Sequence, residues 1–292
     1  MTFVGTGGRA EWFPQKGFKL KGSQNINTDM KHAVCYTRTQ RSNCRHSGQH
    51  RKDGKNRTGG FVIMDQDKKQ VYFFGDSIVA QDKKIYTYPA DYNQNEIGTL
   101  CEGYPTILER LFDFETYNFA RGGQGISQQK EVILSKDFSD ADLVIIGVGV
   151  NDFSAGKPIG QIPDSTEAKH DATFTGEYCT ALDYIYQSNP LIKVILMTPL
   201  HRCTLHRKGN VPVNTIDTRI HGNTLKDYAQ AIIQIGAFYS CPVADLYGSS
   251  GMNRFNLRYL TFEGVHPTNA GYRFCSGPLV DAVKRTLDGM KG

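Results

Sequence analysis

A serine hydroxyl is a weak nucleophile at neutral pH until a base takes its proton, and histidine is the usual base. A carboxylate can hold that histidine in one tautomer. All three types occur in this 292-residue chain, beside glycines and an amide of the kind that can meet a developing negative charge. They gather in five short stretches: Gly75-Asp76-Ser77, Asn118-Phe-Ala-Arg-Gly-Gly123, Gly149-Val150-Asn151-Asp152, Thr198-Pro-Leu-His201-Arg202 and Glu263-Gly-Val-His266-Pro267. Each stretch also reads as an ordinary structural device. Gly75-Asp76-Ser77 suits a strand exit and helix cap, Asn151-Asp152 a turn, and His266-Pro267 the entry to a last helix. Gly122-Gly-Gln-Gly125 suits a phosphate loop, but the Lys-Ser/Thr of a P-loop is missing.

Position decides between these readings. Apolar runs suited to buried strands occur at Val71–Phe74, Tyr117–Ala120, Leu143–Val148, Lys193–Met197 and Val243–Leu246. Helix-like segments lie between them, near Leu100–Phe112, Ser127–Leu134, Thr173–Gln187 and Thr224–Tyr239, and one helix over Asn269–Leu287 closes the chain. In the fourth of these, Leu225, Tyr228, Ala229, Ile232, Ile233 and Ile235 form an apolar face, capped by Asn223 or Thr224. This alternation predicts a five-stranded parallel sheet covered on both faces, a doubly wound, flavodoxin-like α/β fold. In such sheets ligands bind outside the carboxyl ends of the strands. Four of the five stretches follow a predicted strand, and the fifth lies beyond the last one. Asp76, His201 and Arg202 share that rim and are candidate substrate contacts, although a solvated loop is the simpler account of His201 and Arg202.

Taken in order, these residues resemble the SGNH (GDSL-type) hydrolase family over roughly Val71 to Leu287. Ser77 sits in the Gly-Asp-Ser block, Gly123 matches the block-two glycine, Asn151 the asparagine of Gly-x-Asn-Asp, and His266 the histidine of Asp-x-x-His. Glu263 departs from the pattern, since the family has Asp there. The resemblance implies that Ser77 is the nucleophile and His266 its base, with Glu263 orienting the imidazole. It further implies an oxyanion site built from the backbone N–H groups of Ser77 and Gly123 and the amide of Asn151. The rival arrangement is a Ser77–His266 dyad oriented by a backbone carbonyl, with Glu263 facing water. No cofactor is implied. The Gly-x-Ser-x-Gly elbow of α/β-hydrolases is absent around Ser77, which sets that other serine-esterase fold aside.

The amino-terminal stretch has a different character. Residues 1–60 carry twelve Lys/Arg against three Asp/Glu, whereas the rest of the chain is mildly acidic. Residues 1–66 are expected to form a small basic region rich in strand and loop, with a short strand at Phe61–Met64, ahead of a hydrolase domain over 67–292. Cys35, Cys44, His46 and His50 include ligand types that zinc accepts, but their spacing matches no established zinc motif, and no metal site is assigned. The odd count of seven cysteines excludes a fully paired disulfide framework. Aromatics are nearly lacking between Arg38 and Arg57, which argues against nucleic acid. A positive surface steering an anionic polymer is the more economical reading.

Composition bounds the rest. With 39% hydrophobic and 22% charged residues, the chain is neither wholly disordered nor fibrous. No apolar run reaches the ~18 residues of a membrane helix, and the first fifteen residues lack the apolar core of a secretory signal. The compartment stays open between cytoplasm and a virion or cell surface. The expected function is a serine esterase, foremost one removing O-acetyl groups from a carbohydrate or cell-envelope glycan. The alternatives are a lipase, lysophospholipase or thioesterase, and a non-enzymatic surface or phage-tail binding module on a degenerate hydrolase fold.

Overall fold

Val71 and Phe73 are wholly buried on one face of the first strand and Phe74 on the other, so the strand must lie inside a sheet covered on both sides. The computed structural model describes residues 68–88, 93–163, 170–205, 212–214 and 219–290. The amino-terminal expectations, including the partition at residue 66, Phe61–Met64 and the Cys35, Cys44, His46 and His50 group, lie outside the described residues.

In chain order the elements are β1 (Gln70–Gly75), α1 (Ser77–Ala80), α2 (Tyr104–Phe112), β2 (Glu115–Asn118), α3 (Ile126–Leu134) and β3 (Leu143–Gly147). There follow α4 (Val150–Ala155), α5 (Phe174–Ser188), β4 (Lys193–Met197), β5 (Cys203–Leu205), β6 (Pro212–Asn214) and α6 (Leu225–Phe238). The chain closes with β7 (Val243–Ala244), α7 (Leu246–Ser249), α8 (Leu257–Leu260), α9 (Asn269–Cys275) and α10 (Gly277–Gly289). Five strands make one all-parallel sheet in the order β2-β1-β3-β4-β7, and β5 and β6 pair as a separate antiparallel ribbon. The doubly wound expectation is met, with β1 inside the sheet between β2 and β3.

Alternate residues feed two cores. Val71, Phe73, Leu143, Ile145, Ile195 and Met197 pack on one face, with Leu108, Tyr272, Leu279 and Val283 from α2, α9 and α10. Phe74, Val144, Ile146, Val194 and Leu196 pack on the other, under Ile133, Tyr178, Leu182, Tyr228 and Ile232 from α3, α5 and α6. The connection from β1 leads to β2 on one side and the next crossover reaches β3 on the other. The strand order therefore reverses between β1 and β3, and a crevice opens at their carboxyl ends. Ser77 follows β1 and Asn151 follows β3, so topology alone brings them to one place.

Several boundaries differ from expectation for local reasons. The second strand is Glu115–Asn118 rather than Tyr117–Ala120, because it is an edge strand whose register with β1 begins at Gln70↔Glu115 and does not require burial. The second helix starts at Tyr104, since Leu100 pairs with Ile85 in an isolated bridge and Gly103 caps the helix. Asp245 caps α7 and so ends the fifth strand of the sheet early. The closing helix is two helices, α9 and α10, divided at Ser276 before Gly277-Pro278, where the missing proline N–H is tolerated only in a first helical turn.

Candidate active site

Ser77 is the first residue of α1, so its N–H has no acceptor within that helix. Asp76 ahead of it is 4% exposed and its Oδ1 accepts the Ile78 N–H at 2.9 Å. Burial pushes its carboxyl up to about 7, opposed by that hydrogen bond and by the charge of His266. Asp76 is thus a buried helix cap with little surface left for a substrate.

The Ser77 hydroxyl meets His266 Nε2 at 2.8 Å. On the other side of the ring, Nδ1 contacts Glu263 Oε1, which also accepts the His266 backbone N–H at 3.2 Å. The loop that carries both residues is tied at its base. Thr261 bridges Pro267, the Phe262 N–H donates to the His266 carbonyl at 3.0 Å, and the Gly264 N–H donates to Thr261 Oγ1 at 3.0 Å. Gly264 has φ +89°, and a Cβ there would meet Cys203 Sγ at 2.3 Å and the Cys203 carbonyl at 2.8 Å. Only glycine fits that turn. The Cys203 N–H in turn donates to the Gly264 carbonyl at 2.9 Å, which anchors the histidine loop to β5.

The glycine loop after β2 leans on the same serine. A Cβ on Gly122 would lie 3.7 Å from Ser77 Cβ, and Gly123 takes φ +76°. Asn151, in the first turn of α4, donates from Nδ2 to the Gln124 carbonyl at 3.0 Å. Gly123 and Asn151 line one surface groove of about 220 Å³, together with Gly125, Ser127, Gln128, Asp152, Ala155 and Lys157. Among the described residues of that lining, Ala155 is the one apolar side chain. The Lys157 ammonium pairs with Glu177 at 2.7 Å and Ser127 donates to the same carboxylate. Burial opposes ionisation of Glu177, but the bonds from Lys157 and Ser127 outweigh it and hold the carboxyl below its usual value.

Two groups that residue types alone did not single out hold this loop. Asp152, which the sequence also allowed as a turn former, accepts the Ile126 N–H on both oxygens, at 3.0 and 3.1 Å. Burial pushes its carboxyl up to about 6. A Cβ on Gly125 would come within 2.5 Å of Asp152 Oδ1, so the loop can approach α4 only with glycine there. Gln129 is wholly buried; its Oε1 accepts the Gly75 N–H at 3.0 Å and its Nε2 donates to Gln124 Oε1 at 2.6 Å. Asn118 is likewise a brace, donating to the Val79 carbonyl at 2.9 Å.

His201 and Arg202 are also engaged with protein. The His201 ring stacks on Tyr247 with centroids 4.1 Å apart, and burial lowers its pKa. Arg202 donates to Ser154 Oγ at 2.7 Å, joining the end of the β4 loop to α4. Tyr88, which no spacing in the sequence marks, lies parallel to the His266 ring with centroids 3.9 Å apart. Among the described residues no cluster of His, Cys, Asp and Glu is fit to hold a metal, and no helix is long and apolar enough to cross a membrane. The five described cysteines, Cys101, Cys179, Cys203, Cys241 and Cys275, are buried free thiols.

Among solved structures, the chain is similar to a possible lipase from Chitinophaga pinensis, at 23% identity and TM-score 0.59, over 75% of this chain and 98% of that one. It is similar to a protein from Lactobacillus plantarum at 23% identity and TM-score 0.56, over 76% and 97% of the two chains. A lipase/acylhydrolase from Enterococcus faecalis matches at 19% identity and TM-score 0.51, over 75% and 96%. At these identities the likeness speaks for the fold. No curated protein matches the chain. The model of the GDSL-like lipase/acylhydrolase family matches residues 73–274, a span that runs from β1 through the histidine loop. The chain therefore belongs to the GDSL-like lipase/acylhydrolase family and is an ester hydrolase.

Proposed function

We propose that this hydrolase works through Ser77, His266 and Glu263 and removes short acyl groups, acetyl foremost, from the hydroxyls of a carbohydrate. One observation carries the reading: His266 faces Ser77 Oγ at 2.8 Å with one ring nitrogen and Glu263 with the other. In this account Ser77 Oγ attacks the ester carbonyl while its proton passes to His266 Nε2. The oxyanion is met by the N–H groups of Ser77 and Gly123 and by Asn151. An amide nitrogen carries two protons, and Asn151 gives one to Gln124, which leaves the second for the oxyanion. The alcohol departs with the proton from Nε2, leaving an acyl ester on Ser77. Water then repeats the sequence with the acyl carbon as target, and Ser77 regains its proton as the acid is released.

The substrate class rests on the lining. The groove beside Gly123 and Asn151 presents Ser127, Gln128 and Lys157, which suit a hydroxyl-rich alcohol and offer a long acyl chain little apolar surface. The apolar cavity behind the strand ends, lined by Val79, Tyr104, Met197 and Leu200 among others, is about 20 Å³, room for one water-sized group. That counts against a lipase. The basic surplus of residues 1–60 fits an anionic polymer as carrier of the ester. A panel of p-nitrophenyl esters from acetate to palmitate tests the reading. Turnover highest on acetate and falling with chain length is expected, and the Ser77→Ala variant should lose it. Preference for palmitate would select the lipase reading. A folded protein inert on every ester would select the binding module.

A further inference from the structure

Between α1 and α2, residues 81–88 and 93–103 grip the histidine loop and the start of α9 at several points. The Tyr86 hydroxyl donates toward the Pro267 carbonyl at 3.2 Å, and Asn93 Nδ2 donates to the Thr261 carbonyl at 2.6 Å. The Asn269 N–H donates to Glu96 Oε2 at 2.7 Å, and the Glu102 N–H donates to Asn269 Oδ1 at 2.7 Å. Phe262, inside the loop, packs on Tyr86 with centroids 4.5 Å apart. These bonds fix backbone. Among the described residues of this segment, Tyr88 is the one whose ring lies on the imidazole itself, with centroids 3.9 Å apart and planes 14° from parallel.

A face-on aromatic ring does two things to an imidazole that an aliphatic neighbour cannot. Its quadrupole presents negative potential to the ring above it, which favours imidazolium over imidazole. Its flatness also holds the imidazole plane, and with it the direction of Nε2 toward Ser77. Imidazolium is the state that His266 enters as Ser77 gives up its proton, so the interaction strengthens along the reaction. The other ionisable groups around the ring are Glu263 on its own loop and Asp76 at the end of β1, with Arg202 charge-coupled to Glu263 from the β4 side. Burial, and then the charge of Glu263, push the Tyr88 phenol up to about 12, so at neutral pH it is an uncharged ring.

We infer that Tyr88 is a positioning residue for the general base, its ring face holding the His266 imidazole in plane and stabilising it when protonated. The inference rests on His266 acting as that base. Three variants on a small soluble ester test it. Tyr88→Phe and Tyr88→Trp keep an aromatic face and should retain kcat and the shape of the pH profile. Tyr88→Leu keeps the bulk and loses the face. It should lower kcat about tenfold with KM little changed, and move the acid limb of kcat/KM about half a pH unit lower. Without the stack, neutral imidazole persists to lower pH while the protonated transition state is held less well. NMR gives a readout independent of activity: the Tyr88 ring shields the His266 ring protons, and Tyr88→Leu should move their signals downfield. Wild-type kcat and profile in Tyr88→Leu, or unmoved ring-proton signals, would overturn the inference. So would a Tyr88→Phe loss equal to that of Tyr88→Leu, since the hydroxyl would then be what matters. Activity surviving Ser77→Ala is a different result, and it would overturn the base assignment instead.

Discussion

Glutamate reaches one methylene further than aspartate and has one more torsion to fix, so Glu263 is the position where this chain departs from its family's motif with a physical consequence. Its Oε1 meets both the His266 ring and the His266 backbone N–H, and that double seat removes the added freedom. The geometry supports the triad over the dyad, in which Glu263 would face water. Glu263→Gln should keep the fold and lower kcat by about 10²–10⁴-fold, because the amide cannot stabilise an imidazolium as a carboxylate does. Glu263→Asp should also lose about 10- to 100-fold, since the shorter arm cannot keep both contacts on this backbone. Steady-state kinetics with folded variants check both. Near-normal turnover in Glu263→Gln would favour the dyad. Ser77, Asn151 and His266 were legible because short motifs in order carry them. Tyr88 was not, because an aromatic in a loop has no spacing that announces what it will stack on.

At the scale of elements, the proposed oxyanion side of the site depends on lacing between α4 and the glycine loop. Asn151 holds Gln124, Asp152 holds Ile126, and Gln129 joins Gln124 to the end of β1. The sequence marked these elements and misjudged some of their edges. The edge strand β2 lies two residues ahead of the apolar run Tyr117–Ala120, because that run overlaps the loop that follows. The last helix divides at Ser276, before Gly277-Pro278, a break that the continuous helical periodicity on either side does not announce. The lacing has a pH signature. The Asp152 carboxyl sits at about 6, above its unfolded value, so the native state favours its protonated form. The stability it contributes is full below about pH 4, lost as pH rises through 6, and flat beyond. Asp152→Asn cannot ionise. Its melting temperature relative to wild type should therefore rise between pH 4 and 7 and then level off. A constant difference across that window in thermal melts would refute the assignment.

At the scale of the whole molecule, strand order places the chemistry. The reversal between β1 and β3 sets Ser77 beside the glycine loop and α4, and the last long connection returns His266 to the serine from the other end of the chain. This much was legible, because buried parallel strands announce themselves as continuous apolar runs. The grip of residues 81–88 and 93–103 on the histidine loop was not, because it is made of scattered polar bonds and ring contacts with no period. The measurement that tests the central claim most directly is reaction with a fluorophosphonate, followed by mass-spectrometric location of the adduct. One adduct on Ser77, absent from Ser77→Ala and formed far more slowly in His266→Ala, is the result this account predicts. An adduct on another residue, or one that persists in Ser77→Ala, would contradict it.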